Sequence, residues 1–212
     1  MKQSYFDKML NRILKVESKR FGWKCSRGFV FKKEKSLFFT ILINGQSKTK
    51  KLHWSLSFKH YDFDDIFWDV VKLPENKKQP LSFRACGAWV APSMVVQEGC
   101  AGLDSLEEEI VLNEVRKIFE LLIPISDKEA SLANTYQSNL QILEKYYSQL
   151  IEKYPNAVRA IWVEKLLTGL LECKFDEAHA IAIARINAGD SGGFSYSGAS
   201  FYQLATEYIK TQ

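Results

Sequence analysis

The sequence predicts an α+β fold: an N-terminal helix and an antiparallel β-sheet followed by a helical C-terminal half. Three observations carry this expectation. Residues 3–20 place apolar side chains at helical spacing. Residues 23–59 hold short aromatic-rich segments, the last with strict two-residue alternation. From Ser105 onward, apolar positions recur every three or four residues behind helix-start signals.

In the first helix Phe6, Met9, Leu10, Ile13 and Leu14 share one face, Lys8, Arg12, Lys15 and Lys19 recur on another, and Gly22 ends it. Trp23–Lys33 follows as a β-like segment. Leu37–Asn44 is apolar on both faces and runs into Asn44-Gly45, a strong turn signal. In the third segment Leu52, Trp54, Leu56 and Phe58 alternate with His53, Ser55, Ser57 and Lys59. A period of two sends the first set, Trp54 included, into a core and the polar set to the opposite face. The short connections 33–36 and 45–51 make an antiparallel meander the economical topology.

Residues 61–72 read as a short helix opened by aspartates. Residues 81–96 read as a further β-like stretch, in which Pro92 argues against one continuous central strand. Ser105 with Glu108 and Ser126 with Glu129 have capping-box spacing, which predicts one helix stopping at Pro124 and a second with Leu132, Tyr136, Leu140, Leu143, Tyr147 and Leu150, stopping before Pro155. Helices over 157–172 and 176–187, a Gly/Ser loop over 189–197 and a last helix opening at Ser200 with Gln203 complete the chain. The composition shifts near 99–104, dividing a helix-plus-sheet part, 1–103, from a helical part, 104–212. No linker of disordered composition lies between them, so the helices are expected to pack on the sheet as one compact unit.

Charge follows the same division. Residues 1–60 carry 15 Lys+Arg against 3 Asp+Glu, and residues 61–212 carry 14 against 22. Such polarity invites an anionic partner at one end. With 46% hydrophobic and 25% charged residues the composition is that of a soluble globular protein. No apolar run approaches the ~20 residues of a membrane span, and charges at Lys2, Asp7, Lys8, Arg12 and Lys15 break any signal-peptide core. Cys25, Cys86, Cys100 and Cys173 are scattered without C-x-x-C or zinc spacing, as expected of reduced thiols in a cytoplasmic protein.

Across residues 21–59, Gly28-Phe29, Phe31-Lys32-Lys33 and Ile43-Asn44-Gly45-Gln46 resemble the pattern of a bacterial family, domain-of-unknown-function family 4304: a phrase of the type G-F-x-F/K-K, then a strand reaching a Gln. The likeness covers the N-terminal third and implies the same helix-plus-sheet fold. It names no activity, cofactor or site residue.

Three constellations suggest chemistry. Gly189-Asp190-Ser191-Gly192-Gly193 spells the nucleophile loop of chymotrypsin-like proteases, with His53 and Asp104 in that family's chain order. The helical span 105–188 leaves no room for a second β-barrel, so a turn after a helix is the expectation. His60, Asp62, Asp64, Asp65 and Asp69 are the best metal candidates, but helix capping accounts for them more simply. Lys8, Arg12, Lys15 and Lys19 on the helix, with Lys32, Lys33, Lys48, Lys50 and Lys51 near the hairpin loops, form the candidate partner-binding set.

The expected function is therefore a non-catalytic intracellular protein-binding module, of the immunity or antitoxin type for example, with no catalytic residue, cofactor or metal. One alternative is a nucleic-acid-associated protein binding weakly and non-specifically through the basic face. Another is an enzyme with a site between sheet and helices, His53 acting as acid or base.

Overall fold

The structure is a computed structural model that describes residues 1–132, 136–153 and 161–212. Its order is α1 (Gln3–Arg20), β1 (Lys24–Ser26), β2 (Phe29–Glu34), β3 (Leu37–Gln46), β4 (Lys51–His60), α2 (Phe63–Val70), a 3-10 turn (Pro74–Lys78), α3 (Phe83–Cys86), β5 (Met94–Gly102), α4 (Glu108–Leu132), α5 (Tyr136–Lys153), α6 (Ile161–Leu171), α7 (Phe175–Asn187), a small hairpin of β6 (Ser195–Tyr196) and β7 (Ala199–Ser200), and α8 (Phe201–Ile209). The five-stranded sheet is an antiparallel meander in the order β1-β2-β3-β4-β5, so the α+β expectation holds.

Contacts divide the chain into two units: residues 1–58, 81–88 and 95–132, and residues 59–80, 89–94 and 133–212. The division is not a single cut between 103 and 104, because α4 belongs with α1 and the sheet, while α2 belongs with α5–α8.

In the first unit α1 packs on β1, β2, β3 and α4. Its buried face is the one its periodicity marks, Phe6, Met9, Leu10, Ile13 and Leu14, extended by Glu17 and Ser18. Arg27 and Gly28 both have positive φ (51° and 81°) and close the β1–β2 hairpin within the stretch read as one segment; Gly takes the left-handed conformation without steric cost. Leu37 to Ile41 on β3 are buried on both faces, as the apolar run requires.

Asn44-Gly45 does not turn. The strand continues to Gln46, and the glycine is required because the Phe6 ring lies over it: a Cβ at 45 would stand 2.2 Å from Phe6 Cε1. Leu52, Leu56 and Phe58 are buried as predicted. Trp54 is only half-buried, its ring lying over the Gly99 backbone of β5.

Two further expectations are corrected. The stretch 81–96 is a helical turn and an extended loop, and the strand starts after Pro92, at Met94. Pro124 does not stop a helix either. α4 runs through it, since the proline removes a single intrahelical N–H bond, and Ser126 lies inside the helix donating to the Ile123 carbonyl (2.7 Å). Ser126 and Glu129 are buried core positions, not a cap. Ser105 accepts from the Glu107 amide in a local turn (3.2 Å).

In the second unit α6 packs against α5, α7 and α2, and α8 packs against α7 and α2. The Ser200–Gln203 capping box at the start of α8 is present with both reciprocal bonds. Leu140 and Tyr147 on α5 are buried. The predicted stop at Pro155, the helix residues 157–160 and the side chains of Tyr136, Leu143 and Leu150 lie outside the described residues.

Candidate partner-binding face

All nine candidate residues belong to the first unit. By helical period Tyr5, Lys8, Arg12, Lys15, Val16 and Lys19 share an arc of about 100° on α1, opposite the buried face. All six are exposed, Tyr5 at 65% and Val16 at 56%. The helix is fastened at both ends. Gln3 donates to the Gly45 carbonyl (2.7 Å) and accepts from the Ser47 amide (2.9 Å), tying the N-terminus to the end of β3. Phe21, just past the C-terminus, stacks on Phe119 of α4 with centroids 5.4 Å apart.

Between these ends, Glu17 is buried and receives a forked pair of bonds from Arg116, 2.9 Å from Nε and 3.1 Å from Nη2, with Arg20 at 3.2 Å. The Arg116 hydrogen bonds hold the Glu17 carboxyl below its ordinary value, outweighing the opposing effect of burial. Glu17 falls within the apolar arc of α1, a signal the sequence held. Arg12 also points to α4, in an ion pair with Glu108.

The lysines divide by environment. Lys8, Lys15, Lys19, Lys48 and Lys51 are exposed and form no ion pair among the described residues. Lys32 pairs with Glu34 (2.9 Å), and Lys50, at φ 51°, donates to the Asp104 carbonyl (3.0 Å). Register separates them further. Lys33 pairs with Phe38 and Phe29 with Leu42, so Lys32 and Lys33 lie toward one end of the sheet and Lys48, Lys50 and Lys51 at the other. The six-residue β2 ladder between those ends spans ~17 Å. The α1 stripe starts at the Lys48 end, where Gln3 meets Ser47.

The other candidates fall out as follows. His53 is exposed, with Nε2 3.9 Å from Cys100 Sγ. His60 is buried, its ring 5.6 Å from that of Phe63 and its Nδ1 3.9 Å from Asp62. The carboxylates diverge: Asp64 is buried on Lys59, while Asp69 holds Lys77 (2.5 Å). Among the described residues, no three His, Cys, Asp or Glu side chains gather as metal ligands. Asp190 accepts from the Gly192 amide (2.8 Å) and Ser191 from the Gly193 amide (3.3 Å), so the protease-like pentapeptide is a pair of local side-chain turns.

Sequence reasoning also missed polar burials in the second unit. Lys59, assigned to the polar side of β4, is 1% exposed with Nζ 2.7 Å from Asp64. Glu164 on α6 is fully buried, and neither carboxyl oxygen has a hydrogen-bond partner among the described residues. Burial pushes its carboxyl well above the ordinary value. Tyr202 on α8 is likewise buried with its hydroxyl unpartnered among the described residues, and burial raises it too.

No family model, curated protein or solved structure matches this chain. Among the described residues no helix is long and apolar enough to cross a membrane.

Proposed function

We propose that the chain is a non-catalytic protein-binding module whose exposed α1 face receives an acidic protein partner. One observation carries the reading: Lys8, Lys15 and Lys19 have no internal ion partner among the described residues and share their arc with exposed Tyr5 and Val16. A tyrosine and a branched aliphatic flanked by lysines supply contact area at the centre of a patch and steering charge around it. The immunity or antitoxin type, a cytoplasmic location and a bacterial source belong to the same proposal, as does kinship with family 4304.

Binding to nucleic acid is the second reading, favoured by the lysines of α1 and the β3–β4 turn. Against it, Arg12 is engaged by Glu108, and Trp54 lies against Gly99. Stacking platforms for bases need aromatic faces free. The two readings separate by mutation. Tagged full chain is recovered from cells of its source, and proteins co-purifying in stoichiometric amount are identified. Val16→Asp and Tyr5→Ala should each remove such a partner, because both residues would sit inside the contact. A partner unaffected by both changes, or retention of DNA in place of protein, overturns the proposal.

A further inference from the structure

His53 and Cys100 stand side by side on the exposed face of the sheet, with Nε2 3.9 Å from Sγ. The strands explain the placement. On the opposite face the Trp54 ring covers Gly99, where a Cβ would stand 2.3 Å from Trp54 Cζ2. One residue further along each strand, alternation brings His53 and Cys100 together on the other side. Neither has another polar partner among the described residues, so both stay available. The same alternation places Lys51 on the His53 face, about 7 Å away along the strand.

The other thiols differ. Cys25 and Cys86 are half-buried, and Cys86 donates to the Ser82 carbonyl (3.1 Å). Cys173 is exposed without an imidazole beside it among the described residues. Cys100 thus combines exposure with a proton acceptor in contact, the setting in which a thiol becomes a nucleophile.

We propose that Cys100 is a modification site that takes up small-molecule disulfides, with His53 as its proton acceptor. His53 takes the thiol proton on Nε2. The Cys100 sulfur attacks one sulfur of the disulfide R–S–S–R. A Cys100–S–S–R bond forms, the R–S–S–R bond breaks, and the leaving thiolate recovers the proton from His53 as R–SH. The disulfide is the only oxidant required, and a second thiol reverses the step. The added group would stand on the same sheet face as Lys51, which goes beyond the binding role proposed above.

The full chain is treated with an uncharged dipyridyl disulfide at neutral pH, quenched at intervals, and mapped by peptide mass spectrometry. Cys100 should be modified about tenfold faster than Cys173. His53→Gln should bring the Cys100 rate down to that of Cys173, leaving Cys173 unchanged and half-buried Cys86 slow, which reports an intact fold; His53→Asn serves as a second variant. A Cys100/Cys173 ratio under about fivefold, or one that survives both histidine variants, overturns the assignment.

Discussion

Asp64 Oδ1 accepts from Lys59 Nζ at 2.7 Å and from the Ala91 amide at 2.8 Å, while Lys59 Nζ also donates to the Ala91 carbonyl at 3.1 Å. One buried carboxylate and one buried ammonium thereby clamp the 89–94 segment onto the end of β4 and the start of α2. The same segment carries Trp89 at φ 61°, a conformation that a bulky residue holds only when its surroundings impose it.

Removing one partner from that clamp leaves the other charge buried. Asp64→Ala should destabilise by ~3–5 kcal/mol, and Lys59→Met with Asp64→Leu by less than Asp64→Ala alone. Urea denaturation measures both. A double variant as unstable as Asp64→Ala would show that lost packing, not the stranded ammonium, sets the cost.

Gly45 lies under the Phe6 ring, so Gly45→Ala should overpack the α1–β3 contact and cost ~1–3 kcal/mol. The discriminating measurement is a double-mutant cycle with Phe6→Leu, a smaller side chain at the same site. Coupling energy near zero would mean that backbone conformation, not the ring, demands the glycine.

What the sequence made legible was whatever depends on local period. The apolar faces of α1, β3 and α4, the meander and the Ser200–Gln203 cap follow from spacing alone. The misreadings share a tertiary cause. Asn44-Gly45 has turn chemistry but serves a ring arriving from α1. Pro124 has breaker chemistry but sits in a helix whose buried face continues on both sides of it, Leu122 before and Ser126, Glu129 and Ala130 after. Lys59 obeys the alternation of a polar face, yet the 89–94 segment covers it. At the candidate face, the exposed lysines of α1 were readable from the helical period. The pairing of Arg12 with Glu108 and the contact of His53 with Cys100 join residues too distant in sequence for any spacing rule to connect.

Glu164 should make the protein sensitive to alkali. Unfolded, its carboxyl releases its proton near the ordinary value of 4.5; folded, it keeps that proton to higher pH. The native state therefore binds more protons across the window between the two values, and stability falls as pH rises through it, by at most ~1.4 kcal/mol per pH unit for one group. Glu164→Gln, which cannot ionise, should flatten this part of the profile in thermal melts between pH 5 and pH 8. An identical slope in the variant would assign the pH dependence to other groups.

Lys8, Lys15 and Lys19 are exposed and free of ion pairs among the described residues, so reversing all three to Glu should leave the melting temperature nearly unchanged. Arg12→Glu should lower it, because the new carboxylate would face Glu108 of α4. The same variants test the face itself. Binding of the native chain to a labelled DNA duplex, followed by anisotropy, should be weak, indifferent to sequence and abolished in 0.5 M salt, where the Debye length is about 4 Å. The triple reversal should remove that residual binding at low salt. Binding that survives both the reversal and the salt would place the contact elsewhere than on α1. A protein partner that binds the triple reversal as well as it binds the native chain would likewise exclude the helix as the docking surface.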